Sequence, residues 1–109
     1  MNRPNFLMTP HAHTAARLVT GDRNDDYGPP SSDFEGIGLM WTGLLNSKLD
    51  PGVKITATDV ALMMTALKLR RQAHRPKDDN LIDAHGYLMC IEWMQTGKCP
   101  VLPEQGGAQ

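Results

Sequence analysis

The chain has 109 residues and a formal net charge of −1, which leaves room for one domain with its own hydrophobic core. A near-neutral chain has no general attraction to nucleic acid or to membrane surfaces, so we expect neither DNA nor a membrane as a partner. No apolar run approaches the roughly 20 residues of a membrane-spanning helix, and the first residues lack the pattern of a signal peptide. Cys90 and Cys99 have no metal-ligand spacing, which is typical of free thiols in the cytoplasm.

The spacing of apolar residues predicts an all-α protein with four helices in a single domain. We expect the helical domain to cover residues 9–97. Residues 1–8 are predicted to form a loose N-terminal arm, and residues 98–109 a flexible C-terminal tail.

Two helices are predicted in the first half of the chain. The first follows Thr9 and Pro10, which supply a capping hydroxyl and a proline suited to the first helical position, and it ends at Gly21. Residues 21–32 are almost all turn formers, so we expect an irregular loop there. A capping box that begins at Ser32 opens the second helix.

The stretch of residues 56–72 is predicted to be the central helix. Its apolar residues recur at helical spacing, with Val60, Met64 and Leu67 on one stripe. Thr56 can cap its start and Pro76 stops it, so a helix this apolar belongs in the middle of a bundle.

The last helix is predicted to start at a cap on Asp79 or Asn80 and to end at Gly97. It is apolar on two sides, which indicates burial against two partners and leaves room for another subunit.

The first candidate for chemistry is the loop that carries Arg23, Tyr27 and Gly28. An arginine there could hold a phosphate with two hydrogen bonds, and a tyrosine could stack on a base or sugar. The alternative is structural: Arg23 would pair with Asp25 or Asp26, and Tyr27 would cover the edge of the core.

The second candidate is the set of Asp79, Asp83 and Tyr87, which share one side of the last helix at spacings of four. Two carboxylates on one helical face can share Mg²⁺, which prefers oxygen ligands. The alternative is that both aspartates only complement the positive end of the helix dipole.

The third candidate is the basic end of the central helix. A helix dipole explains cations there, and we expect Arg70 and Arg71 to lie outside the fold. Lys68 sits apart from them and could reach inward to Asp83 or to a ligand phosphate.

Three separated blocks of the chain resemble a family of small proteins encoded by tailed phages and prophages, to which few functions are assigned. The blocks are R-x-x-x-Y-G with a following N/D-F pair, then D-V-A-x-M-M-x-x-L-K, then D-N-x-x-D-x-x-G-Y. In this sequence they fall on Arg23, Tyr27, Gly28, Asp33, Phe34, Asp59, Val60, Ala61, Met63, Met64, Leu67, Lys68, Asp79, Asn80, Asp83, Gly86 and Tyr87. The resemblance implies a protein of the cytoplasm of an infected bacterial host.

A more distant likeness is to the MazG-type all-α nucleotide pyrophosphohydrolases. It implies a MazG-like four-helix bundle, a homo-oligomer, and a magnesium site on Asp59, Asp79 and Asp83. The metal site of those enzymes resembles an E-x-x-E pair on one helix that faces an E-x-x-D pair on another. Here the second helix offers only Glu35, so the departure counts against hydrolysis.

Three functions follow from these observations. In the first, Arg23, Tyr27, Lys68, Asp79 and Asp83 face one pocket that binds a nucleotide or a cyclic-nucleotide-like molecule, sequestering a host defence signal. In the second, Mg²⁺ on the aspartates supports nucleotide pyrophosphohydrolysis. In the third, the protein is a non-catalytic helical adaptor for a host protein. We favour the first.

Overall fold

The computed structural model describes residues 8–102, so the predicted arm and the end of the predicted tail lie largely outside the described residues. Within that range the chain is helical and contains no strand. Its α-helices are α1 (Pro10–Thr20), α2 (Asp22–Tyr27), α3 (Pro30–Leu44), α4 (Ala57–His74) and α5 (Asp78–Thr96), with a 3-10 turn at Asn46–Lys48. The all-α prediction with four long helices is confirmed. In the described part of the chain, no helix is both long and apolar enough to cross a bilayer.

The helices are arranged around the α4–α5 hairpin. Helix α3 packs against α4, and α1 packs against α5. The core between them is a single cluster of buried residues: Val19, Phe34, Ile55, Val60, Ala61 and Cys90. The central position predicted for α4 is confirmed, and it shares that position with α5. Helix α5 packs against both α1 and α4 of the same chain, while its residues Leu81 and Leu88 are exposed.

Two predicted helix starts are confirmed by their hydrogen bonds. The Thr9 hydroxyl accepts from the Ala12 N–H at 3.4 Å. At the start of α4, the Asp59 N–H donates to the Thr56 hydroxyl at 3.1 Å, and the Thr56 N–H donates to the Asp59 carboxylate at 3.0 Å. This reciprocal pair satisfies two donors that a helix start leaves without partners.

The other two predicted starts are wrong in detail. Helix α3 begins at Pro30 rather than at Ser32, because Pro29 is already extended and a second proline suits the first helical position. The Ser32 hydroxyl donates to the Pro29 carbonyl instead of closing a capping box. Helix α5 begins at Asp78 after Lys77 with no side-chain cap.

The predicted loop at residues 21–32 is also wrong, since residues 22–27 form α2. Six residues are too few to form a stable helix alone, so tertiary contacts must hold this one. Gly21 and Gly28 flank this helix, and these glycines are among the turn formers that led to the prediction of a loop. Gly28 ends α2 with φ of +81°, a conformation that residues with a side chain rarely adopt.

Gly38 provides a test of how closely α3 approaches the segment that leads into α4. A Cβ at this position would overlap the Ile55 carbonyl oxygen, whereas a Cβ at Gly36 of the same helix would meet nothing. We expect Gly38→Ala to lower the free energy of unfolding by about 1–3 kcal/mol, because backbone must move. Gly36→Ala should raise it by roughly 0.5–1 kcal/mol through helix propensity. Urea denaturation of both variants measures the difference, and equal effects would contradict the close approach.

Candidate functional site

Arg23 connects α2 to the core. Its guanidinium donates to the Asp33 carboxylate at 3.1 Å. The same group lies over three aromatic rings, 5.2 Å from the centroids of Tyr27 and Phe34 and 5.8 Å from that of Tyr87. A cation at these distances is attracted to the negative faces of the rings. The partner of Arg23 is therefore Asp33, and the alternative of a pairing with Asp25 or Asp26 is wrong.

A cleft of about 180 Å³ lies between α1, α2 and α5, and we call it the tyrosine cleft. Its lining combines apolar and polar residues: Ala15, Leu18, Val19, Arg23, Tyr27, Ile82, Asp83, Gly86, Tyr87 and Cys90. Four predicted ligand residues, from two distant stretches of the chain, thus meet at one place. Gly28, also predicted as a ligand residue, does not line this cleft; its N–H donates to the Asn24 carbonyl at 2.8 Å and closes α2.

The two tyrosines of this cleft have different surroundings. The Tyr27 side is open, with the residue 60% exposed. Tyr87 is half-buried beside Phe34, with ring centroids 6.0 Å apart. Burial raises the pKa of Tyr87 above its usual value of 10.0, although the nearby cations of Arg23 and Lys68 act in the opposite direction. Its phenol is therefore protonated at neutral pH and can donate a hydrogen bond.

Lys68 of α4 reaches α5 as predicted. Its ammonium lies 2.9 Å from the Asp83 carboxylate. The Lys68 side chain is only 16% exposed, so this cation is held in place by its surroundings. Asp83 also lines the tyrosine cleft, so the ion pair places the Lys68 ammonium next to a residue of that cleft.

A second cleft, of about 740 Å³, opens where α4 ends and α5 begins, and we call it the basic cleft. Most of its lining residues are cations: Lys68, Arg70, Arg71, His74, Arg75, Lys77, Asp79, Asn80 and Asp83. Arg70 and Arg71 are exposed as predicted, yet they border this cleft, and the sequence analysis missed it. The sequence feature that could have predicted the basic cleft is the density of basic residues from the end of α4 to the start of α5.

The predicted magnesium trio is not brought together. Asp59 lies in the first turn of α4, where its carboxylate accepts the Thr56 N–H. Asp79 lines the basic cleft beside the last turn of α4, about 20 Å of helix rise away. Within residues 8–102, no three His, Cys, Asp or Glu side chains are grouped to hold a metal ion. Of the three aspartates, only Asp79 and Asp83 line the same cleft, the basic cleft.

Comparison with known proteins shows to which family the chain belongs. Residues 12–95 match the family described as "Domain of unknown function (DUF6378)". The chain belongs to the DUF6378 family. It is 35% identical over 82 residues to the Gene 55 protein of Mycobacterium phage D29, covering 72% of this chain and 48% of that protein. It is 34% identical over 83 residues to the Gene 55 protein of Mycobacterium phage L5, covering 75% and 50%.

The chain therefore spans about half the length of these phage relatives. No solved structure matches it. The predicted membership of a phage protein family is confirmed, whereas the MazG likeness and the homo-oligomer stay predictions.

Arg23 is expected to hold α2 in this DUF6378 domain. Arg23→Ala removes the ion pair with Asp33 and the ring contacts, so it should lower the free energy of unfolding by about 1–3 kcal/mol. Arg23→Lys keeps the charge without the planar fork and should recover only part of the loss. Arg17→Ala, at an exposed position of α1, is the control for charge. Denaturant titration measures all three, and an equal loss in the Arg17 variant would contradict the assignment.

The two cysteines of the domain should differ in reactivity. Burial raises the pKa of the Cys90 thiol from 9.0 to about 11, whereas Cys99 is exposed. At pH 8 a thiol reagent should modify Cys99 rapidly and Cys90 only after unfolding. Rapid modification of both thiols in the folded protein would contradict this.

The Cys90 shift also predicts a pH dependence of stability. The unfolded state loses this proton near pH 9 and the folded state near pH 11, so the free energy of unfolding falls as pH rises between them. Cys90→Ala should lack this part of the decline, measured by urea denaturation at pH 8 to 11.

Proposed function

We propose that the protein binds a nucleotide or a nucleotide-derived small molecule, with the ring system of the ligand in the tyrosine cleft. One observation supports this above others: Arg23, Tyr27, Asp83 and Tyr87 converge on one cleft from separate parts of the chain. Convergence of aromatic and acidic groups on an apolar hollow is the usual composition of a small-molecule site.

Each part of the cleft has a role in this proposal. Leu18, Val19 and Ile82 give an apolar wall for a flat ring. The open ring of Tyr27 stacks on that ligand ring. The carboxylate of Asp83 accepts hydrogen bonds from base N–H or ribose hydroxyl groups, and the phenol of Tyr87 donates one.

Arg23 has a different role from the one expected. Its guanidinium is engaged with Asp33 and with three rings, so it forms a wall of the cleft instead of holding a phosphate. The cation that supports the ligand is then Lys68, through Asp83.

The proposed role in the infected cell follows from binding without turnover. A phage protein that holds a nucleotide-derived signal lowers its free concentration, and a host defence that depends on that signal would receive less of it. This part of the proposal rests on the phage origin of the relatives.

A helical adaptor is the second candidate, because apolar side chains are exposed on α3 and α4. They are Leu39, Met40, Leu44, Leu62, Met63 and Leu69, at 46–78% exposure. Contiguous exposed apolar surface marks contact with other proteins, so these side chains are where an adaptor would dock. The separation of Asp59 from Asp79 gives the pyrophosphohydrolase less support than either of these.

Thermal unfolding with a panel of nucleotides, with and without Mg²⁺, tests the proposal. A nucleotide that binds should raise the melting temperature of the protein by mass action. Its total amount should stay unchanged, because the protein does not hydrolyse it. Tyr27→Ala should weaken binding by roughly 5- to 150-fold through lost stacking, and Tyr27→Phe should retain it. Leu44→Ala, at an exposed site on α3, is the control.

The other outcomes separate the alternatives. Release of phosphate or pyrophosphate from the nucleotide would support the hydrolase. A panel with no thermal shift and no hydrolysis would remove the nucleotide proposal and favour the adaptor.

A further inference from the structure

The cations of the basic cleft are not accounted for by helix stability alone. Arg71 and His74 lie in the last turn of α4, where cations complement the negative end of the helix dipole. Arg75 lies beyond that helix, and Lys77 is the residue that precedes the first turn of α5. The start of a helix favours anions, so a lysine there has an unfavourable electrostatic position.

The start of α5 also favours negative charge. No side chain caps this helix, and the Asn80 N–H donates to the Lys77 carbonyl at 3.1 Å, so the positive end of the helix dipole is offset only by the acidic residues of the first turn. The cations of the cleft and this helix start attract negative charge in the same place. Five permanent cations border the cleft against two carboxylates, Asp79 and Asp83.

Hydrogen bonds from Gln72 join the end of α4 to the start of α5, the two helix ends that border the basic cleft. The Gln72 side-chain oxygen accepts from the Lys77 N–H at 2.9 Å and from the Asn80 amide at 3.3 Å. Asn80 is 8% exposed and Lys68 is fixed against Asp83. The helix ends that carry the cations therefore have a set separation before any ligand arrives, which reduces the entropy cost of binding.

We propose that the basic cleft is a polyphosphate site, which binds a chain of two or more phosphate groups. A single phosphate engages two or three donors, whereas the cations here line about 740 Å³ of space. The proposal rests on the proposed function in one respect: a nucleotide with its ring in the tyrosine cleft places its phosphates here, because Asp83 borders both clefts.

The carboxylate of Asp79 fits a polyphosphate that carries Mg²⁺. Magnesium in such sites is bound by one or two carboxylates together with phosphate oxygens, and it retains several waters. Asp79 would provide the carboxylate, because Asp83 is paired with Lys68, and the ligand would provide the remaining oxygens. The magnesium ion would also offset the repulsion between Asp79 and the phosphates.

The test uses inorganic tripolyphosphate with the whole chain, in calorimetric titration and thermal unfolding. Tripolyphosphate should bind and raise the melting temperature, orthophosphate should bind at least about tenfold more weakly, and added salt should weaken both. The double variant Arg71→Ala/Arg75→Ala should lose tripolyphosphate affinity by about tenfold or more. Both positions are exposed, so the variant should fold.

The matched control is Arg17→Ala/Lys54→Ala, which removes two exposed cations from α1 and from the segment before α4. It should keep the affinity, and an equal loss in the control would overturn the site in favour of general charge attraction. Failure of tripolyphosphate to bind would also overturn it, even if nucleotides bind. If tripolyphosphate binds but Tyr27→Ala leaves nucleotide affinity unchanged, this site stands and the proposed function is removed.

Discussion

The guanidinium of Arg23 is the contact on which the candidate site depends. It pairs with Asp33 and lies against the rings of Tyr27, Phe34 and Tyr87. A six-residue helix has too few internal hydrogen bonds to persist alone, so α2 is held by its packing against α1 together with the contacts of Arg23 to α3 and α5. Because α2 is one wall of the tyrosine cleft, the contacts of Arg23 help to shape that cleft.

The α4–α5 hairpin supplies the rest of the site. The ion pair between Lys68 and Asp83 joins the two helices where the clefts meet, and Gln72 joins them one turn further on. Both contacts keep polar groups satisfied at the edge of an apolar core, where an unpaired charge would be costly. The two clefts, one apolar with tyrosines and one cationic, therefore lie side by side across one aspartate.

Much of the fold could be predicted from local patterns. The Thr56 cap with Asp59, the proline start of α1 and the glycine after α5 each act within four residues, so the sequence displays them directly. The start of α3 was misplaced because the capping-box pattern at Ser32 was preferred to the proline pair before it, although Pro29 is extended and Pro30 takes the first helical position. Helix α2 was missed because its stability comes from contacts with residues far along the chain.

The sequence by itself determined the helical class, the order of the long helices and the residue types that could bind a ligand. Those features follow from periodicity, caps and composition, which are local. Only the tertiary structure decided which polar residues share a space: Arg23 pairs with Asp33, Asp59 is separated from Asp79, and the basic residues of α4 and Lys77 border one cleft. The physical reason is that such neighbourhoods depend on how helices pack, and packing is set by contacts between residues distant in sequence.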